Sequence, residues 1–190
     1  MKDKFRTAIG KKRNTLLQSV ILEKSNRIQK RLFGMDEFRN AQNILFYVSY
    51  DNEVHTHEMI KTTLAHGKNV VVPFSDLKNK RIIPAEIHAW NDLAPGAYGI
   101  LEPKKECIQE VDLGTIDFIL APGVAFDIHG HRIGHGMGYY DRLLQNSQNA
   151  RHVGLAFELQ IVKEIPVEKH DVAVDMIVTE KRILRCLVSR

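Results

Sequence analysis

The chain has 190 residues, of which 44% are hydrophobic, 26% charged and 7% aromatic, a composition that excludes wholesale disorder and fibrous repeats and fits a single domain. Its 27 Lys and Arg against 23 Asp and Glu give a net charge of +4, unevenly placed: residues 1–39 hold 11 basic and 4 acidic side chains, and the remainder sums to −3. A basic N-terminal segment on a mildly acidic body predicts an anionic partner for that segment and argues against a protein that coats nucleic acid over its whole surface.

From Asp3 to Leu32 there is no proline, and Phe5 with Ile9, Leu16 with Val20, Leu17 with Ile21 and Ile28 with Leu32 pair at helical spacing. One long helix or two consecutive ones are predicted over about 2–33, with Gly34 as the stop. Asn43 to Ser49 is a short apolar run of strand formers, followed by the polar turn Asp51-Asn52. His55 to His66 is predicted as a helix closed by Gly67, and Asn69 to Pro73 as a second buried strand. Strand, helix and strand within so few residues predict a parallel βαβ unit with a right-handed crossover. Arg81 to His88 is a further strand candidate and Ala94 to Pro103 a Pro/Gly-rich loop. Ile116 to Ala121 is a third buried strand, Tyr139 to Gln145 a helix, and His152 to Phe157, Val172 to Val178 and Ile183 to Val188 the remaining strands. No repeat or linker-like composition break interrupts the pattern, so a single three-layer α/β domain with a mostly parallel sheet is expected over 1–190.

The longest stretch without Asp, Glu, Lys or Arg runs from Asn40 to Tyr50, well short of the ~20 apolar residues a membrane span needs. The N-terminus carries charge but no apolar run suited to a secretion signal, so the expectation is cytoplasmic, with no membrane. Cys107 and Cys186 are too few for a disulfide framework or a four-cysteine zinc site and are expected to be free thiols.

Chemistry concentrates in Pro122 to Leu144 (PGVAFDIHGHRIGHGMGYYDRLL), where Gly134, Gly136 and Gly138 alternate just before a predicted helix. Glycines that admit positive φ, together with a helix N-terminus, suit an anion or phosphate cradle, with Arg132 and His131 or His135 beside it. The loop is neither a Walker A sequence nor a G-x-G-x-x-G dinucleotide fingerprint. Asp141, in the first turn of that helix, either complements its dipole or reaches a magnesium ion on the phosphates. Asp175, inside an apolar run, needs a cation, a metal or hydrogen-bond donors. His55-x-His57 and His129-x-His131 lack the companions of a zinc site, and no Gly-x-Ser-x-Gly elbow is present. Lys2, Lys4 and Arg6 fit either a solvated helix face or phosphate recognition. Lys11, Lys12 and Arg13 are expected to be solvated helix surface.

The segment Gly123 to Asp127 together with Gly130 to Asp141 strongly resembles the signature of 5-formyltetrahydrofolate cyclo-ligases, also called 5,10-methenyltetrahydrofolate synthetases. Lys2 to Arg6, Glu53 to Thr56, Tyr98 to Pro103, Ala156 to Gln160 and Asp175 fall in that family's order. The resemblance implies an architecture shared with ribose-phosphate isomerases and CoA transferases. It also implies ATP-driven, Mg²⁺-dependent closure of 5-formyltetrahydrofolate to 5,10-methenyltetrahydrofolate, with ADP and phosphate released. It implies ATP contacts at Lys2, Asp3, Lys4, Phe5, Arg6, Arg132, Ile133, Gly134, His135, Gly136, Met137, Gly138, Tyr139 and Tyr140. Folate contacts are implied at Arg6, Val48, Glu53, Tyr98, His135, Gly136, Met137, Gly138 and Tyr139, catalytic roles at Arg132 and Tyr139, and metal ligation at Asp141 and Asp175. Family members often carry arginine or lysine between the loop glycines, where this chain has His135 and Met137. The competing readings are a nucleotide- or RNA-binding accessory protein without ring closure, and an enzyme acting on another formylated pterin. The partners expected are small molecules rather than nucleic acid.

Overall fold

The computed structural model describes residues 1–79, 81–96 and 99–187. Two helices open the chain, α1 (Lys2–Asn14) and α2 (Gln18–Phe33). They separate at Thr15, whose hydroxyl donates to the Lys12 carbonyl at 2.8 Å and competes with a continuing helix. A short α3 (Asp36–Asn40), β1 (Asn43–Leu45) and α4 (His57–Ala65) follow. Next come β2 (Asn69–Asp76), β3 (Arg81–Ile87), β4 (Leu93–Pro95), β5 (Leu101–Pro103), β6 (Gln109–Glu110) and β7 (Phe118–Ala121). The last part holds β8 (Ala125–Asp127), β9 (Arg132–Ile133), α5 (Tyr139–Gln145), β10 (Arg151–Leu155), β11 (Ile161–Val162), β12 (Met176–Val178) and β13 (Ile183–Arg185).

The main sheet runs β13-β12-β10-β7-β1-β2-β3-β6. Its five central strands, β12 to β2 in that order, are parallel, and the pairings of β13, β3 and β6 are antiparallel. The parallel βαβ unit predicted around α4 is β1-α4-β2, with Ile44 beside Val70. Alternate strand residues feed opposite faces. Ile44, Phe46, Val70, Val72, Phe118 and Leu120 pack with Ile21, Ile28, Leu32, Met59 and Ile60 of α2 and α4. Leu45, Val71, Ile119 and Ala121 pack with Leu143 and Leu144 of α5. Helices therefore cover both faces, the three-layer arrangement a buried parallel sheet requires. Each fully buried Ile or Leu contributes about 1.5–3 kcal/mol, and this burial stabilises α2 far more than helix propensity does.

Three expectations change. Ala94 to Pro103 is not simply a loop, because β4 and β5 form an antiparallel pair with Ala94 opposite Glu102. The run Val172 to Val178 becomes strand only at Met176, so Asp175 precedes β12 instead of lying within it. Val188, the expected end of the last strand, lies outside the described residues, and β13 stops at Arg185. The segment β8-β9-β11 forms a separate three-stranded sheet. Phe5 packs beside Ile9 in a cluster with Val124, Ala125, Ile133 and Ile165, which seats α1 on the β8-β9 hairpin.

Candidate functional site

Strand β1 sits at the point where the sheet order turns: the chain proceeds from β1 to β2 on one side, then returns through β7, β10 and β12 on the other. The loops leaving the C-terminal ends of β1 and β7 diverge there over a narrow, nearly closed crevice, at the usual ligand position in an open α/β sheet. The loop after β1 brings Glu53, and the chain after β7 brings Pro122, Gly123 and, through β8 and β9, the glycine loop. Asp51 turns the first loop with φ of 54°, and Glu53 Oε2 accepts from Tyr50 N at 3.1 Å.

The second loop is built on Asp127, fully buried, whose carboxylate accepts from the backbone N–H of His129 and His131 at 2.9 and 3.0 Å and from Ile165 N–H at 3.0 Å. His131 Nδ1 also lies 3.0 Å from Asp127 Oδ2. His131 is thus a brace of the turn that delivers Arg132. Arg132 is buried, with its side chain 3% exposed, and donates to Val172 O at 2.5 Å and to Asp141 Oδ1 at 2.9 Å. Burial pulls its pKa down while the Asp141 charge opposes that. Gly136 and Gly138 hold φ of 99° and 65°, conformations that L side chains adopt only at a cost. Gly138 caps the start of α5.

Helix α1 joins the two loops. Arg6 Nε donates to Gly134 O at 2.8 Å and its Nη1 to Asp3 at 2.6 Å. His135, exposed between the glycines, places Nε2 3.7 Å from Glu53 Oε1. Arg6, the glycine loop and Glu53 are therefore neighbours in space although they are far apart in sequence. Lys2 is paired with Asp171 at 2.6 Å and Glu168 at 3.2 Å. Burial lowers its pKa, but the two carboxylates outweigh that and the net direction is upward. Glu168, His170 and Asp171 form the one group of three metal-type donors among the described residues, and Lys2 already neutralises it.

The other expected positions divide. Lys4 is exposed, as is Met137. Phe5 and Ile133 serve the hydrophobic seat of α1. Val48 is buried in the main core rather than open to the crevice. Tyr139 carries the Arg142 guanidinium over its ring at 5.3 Å. Tyr140 is partly buried, and its buried hydroxyl has no partner among the described residues. Burial, then the charge of Glu53, drives its pKa upward, so the phenol stays protonated. Tyr98 lies outside the described residues. Asp141 Oδ1 accepts from Arg132 and from Val172 N at 3.3 Å, at the start of α5 beside the loop. Asp175 Oδ2 accepts from His152 N at 2.7 Å, with Arg151 at 3.9 Å. It clamps β12 to β10 at their N-terminal ends, the sheet edge opposite the one from which the β1 and β7 loops leave.

Arg13 overturns its expectation as solvated surface: it is 6% exposed. It lines the crevice with Tyr47, Glu53, Val54, Pro122, Gly123, Leu155 and Gln160. The signal was its spacing, since Arg13 lies four residues after Ile9 and eight after Phe5 and so shares their inward face.

A glycine-rich strand-to-helix loop, bonded to a basic N-terminal helix and close to Glu53, thus lies at the turning point of the mostly parallel sheet of an α/β protein. The profile of the 5-formyltetrahydrofolate cyclo-ligase family matches residues 1–180, and the chain belongs to that family. The 5-formyltetrahydrofolate cyclo-ligase of Haemophilus influenzae is 33% identical over 174 residues, covering 90% of this chain and 93% of the relative. That of Saccharomyces cerevisiae is 33% identical over 201 residues, covering 93% and 94%. The solved 5,10-methenyltetrahydrofolate synthetase of Aquifex aeolicus superimposes with a TM-score of 0.87 at 31% identity, covering 100% of this chain and 94% of that one. Among the described residues no helix is long and apolar enough to cross a membrane.

Proposed function

We propose that the protein closes 5-formyltetrahydrofolate to 5,10-methenyltetrahydrofolate at the expense of ATP, releasing ADP and phosphate, with the whole chain as one catalytic unit. The observation that carries this, beside family membership, is the meeting of Arg6, the glycine loop and Glu53 at the turning point of the sheet. A formamide carbonyl is a weak electrophile with a poor leaving oxygen. Transfer of the γ-phosphoryl to the formyl oxygen cures both faults. N10 then attacks the formyl carbon and releases its proton to solvent, and the C–O bond breaks as phosphate leaves with that oxygen, giving the cyclic amidinium. Nothing in this sequence needs a protein nucleophile; it needs positioning and charge stabilisation.

The glycine loop from Arg132 to Tyr140 and the first turn of α1, Lys2 to Arg6, form the nucleotide wall, with Lys2 exchanging Asp171 and Glu168 for phosphate. Glu53 accepts from the pterin amino and ring N–H groups, and Arg6, bonded to the loop, stands between the two ligands. Arg132 fixes the loop base, and Tyr139 is positioned to help enclose the reacting groups. Of the two carboxylates proposed for Mg²⁺, Asp141 carries the argument. Its Oδ1 takes both of its protein hydrogen bonds and its Oδ2 none among the described residues, which suits an ion that binds one or two carboxylates plus phosphate oxygens. Mg²⁺ there would neutralise charge on the phosphates during transfer. Asp175 is already committed to its backbone clamp at the N-terminal ends of β10 and β12, so the direct ligand role is proposed for Asp141 alone. The free thiols of Cys107 and Cys186 suit a reducing cytoplasm.

The test is ADP release by the purified protein with ATP and Mg²⁺, with and without 5-formyltetrahydrofolate. The reading predicts ADP release that depends on the formylfolate and matches methenyl product mole for mole. ATP hydrolysis indifferent to formylfolate, or none at all, would overturn it, and preferential turnover of another formylated pterin would move the substrate.

A further inference from the structure

Arg13 is a buried cation whose Nε no group among the described residues satisfies. Its Nε is buried without an acceptor, and the described residues offer the side chain no hydrogen bond and no carboxylate within 4.0 Å. The groups around it are already taken. Tyr47 Oη donates to Val54 O at 2.9 Å, Gln160 Nε2 donates to the carbonyls of Gly123 and Val124 at 2.8 and 3.1 Å, and Gln160 Oε1 accepts from Phe157 N at 2.8 Å. Desolvating a guanidinium without a partner is costly, and such a group persists where something else supplies the acceptor. The hydrophobic seat of Phe5 and Ile9 on the β8-β9 hairpin holds Arg13 in this position whether or not a ligand is present.

Glu53 lines the same crevice yet does not pair with Arg13. An ionised carboxylate only accepts and a guanidinium only donates, so the two together fit a ligand edge that offers hydrogen-bond donors and an acceptor side by side. The 2-amino-4-oxo edge of a pterin has that order: amino N–H, ring N–H, carbonyl oxygen. We propose that Arg13 donates to the 4-oxo oxygen of the pterin while Glu53 accepts from the amino and ring N–H groups. Arg13 is then a specificity-determining residue of the folate site, an inference that rests on the functional reading above. Because the 4-oxo group is adjacent to N5, holding it also sets where the formyl oxygen stands relative to the glycine loop, which already approaches Glu53 through His135.

The experiment compares 5-formyltetrahydrofolate with its 4-amino analogue, in which the acceptor oxygen becomes a donor and N3 loses the proton that Glu53 accepts from, using wild-type protein, Arg13→Met and Arg13→Lys. A site built to bond a polar group rejects an analogue that leaves that group unpaired. Wild-type protein should prefer the oxo substrate by about tenfold or more in kcat/KM. In Arg13→Met this preference should shrink to the part that Glu53 sets through N3, with loss on the oxo substrate carried by KM, little change on the amino analogue, and KM for ATP unmoved. Arg13→Lys, which keeps a donor, should recover part of the preference. Methionine matches the buried volume and needs no partner, so the melting temperature of Arg13→Met should equal or exceed that of wild type. Equal loss on both substrates in Arg13→Met, or a rise in KM for ATP alone, would overturn the assignment while leaving the cyclo-ligase reading intact. A wild-type protein inactive on 5-formyltetrahydrofolate would overturn that reading and this one with it.

Discussion

Arg132 and Asp141 lie nine positions apart and form the tightest charged contact of the glycine loop, 2.9 Å between Nη2 and Oδ1. Arg132 is nearly inaccessible, so removing the charge opposite it strands a buried cation. We expect Asp141→Asn to lose about 1–3 kcal/mol in a denaturant titration, the lower end if the amide oxygen still accepts the bond, and to need more Mg²⁺ for half-maximal turnover. Gly136→Ala forces a side chain onto a φ of 99° and brings it within 3.5 Å of Arg6 Nη2. It should cost about 1 kcal/mol of stability and raise KM for ATP more than KM for the folate. The sequence made the loop and Asp141 easy to find, because glycines at alternate positions beside a charged pair have few structural uses. Arg13 was not legible in the same way. A cation among Lys11 and Lys12 looks solvated, and its spacing from Ile9 and Phe5 singles it out only once the seat of α1 on β8 and β9 fixes that face as the inward one.

At the scale of elements, the parallel strands were legible from unbroken apolar runs that reflect burial on both faces, and the antiparallel β3 and β13 were legible as well. Strands β8, β9 and β11 have two or three residues each and mixed polarity, so their pairing depends on partners distant in the chain. The β4-β5 pair was hidden by the Pro and Gly residues that punctuate it. Helix α2 is tied to the far end of the sheet by an ion pair from Lys24 to Glu180, whose other oxygen accepts from Glu158 N at 2.8 Å. Burial raises the Glu180 pKa, but Lys24 and the backbone donor outweigh it and the net shift is downward. The net shift of Asp171 is downward for the same reasons, with burial opposed by Lys2. A carboxylate with a depressed folded pKa stabilises the fold above its unfolded pKa, about 4, and that stabilisation is lost as pH falls through the folded value. The melting temperature should therefore drop as pH is lowered from about 5 to 3. Lys24→Met should melt lower at neutral pH and fall less steeply in acid. An unchanged slope in that variant would remove Glu180 from the account.

For the whole molecule, the uneven charge of the sequence acquires a location. The basic first helix is not a trailing arm: its hydrophobic face is seated beside the glycine loop, and Arg6 bonds that loop directly. The acidic body supplies Asp171 and Glu168, which hold Lys2, and Glu53, which faces the crevice. The donors proposed for phosphate and the acceptor proposed for a pterin thus meet at one turning point of a parallel sheet. If the formyl oxygen leaves as phosphate, one turnover of 5-formyltetrahydrofolate carrying a heavy oxygen isotope in the formyl group, followed by mass analysis of the released inorganic phosphate, should give one labelled oxygen in each phosphate released; label found in water, with unlabelled phosphate, would rule that route out.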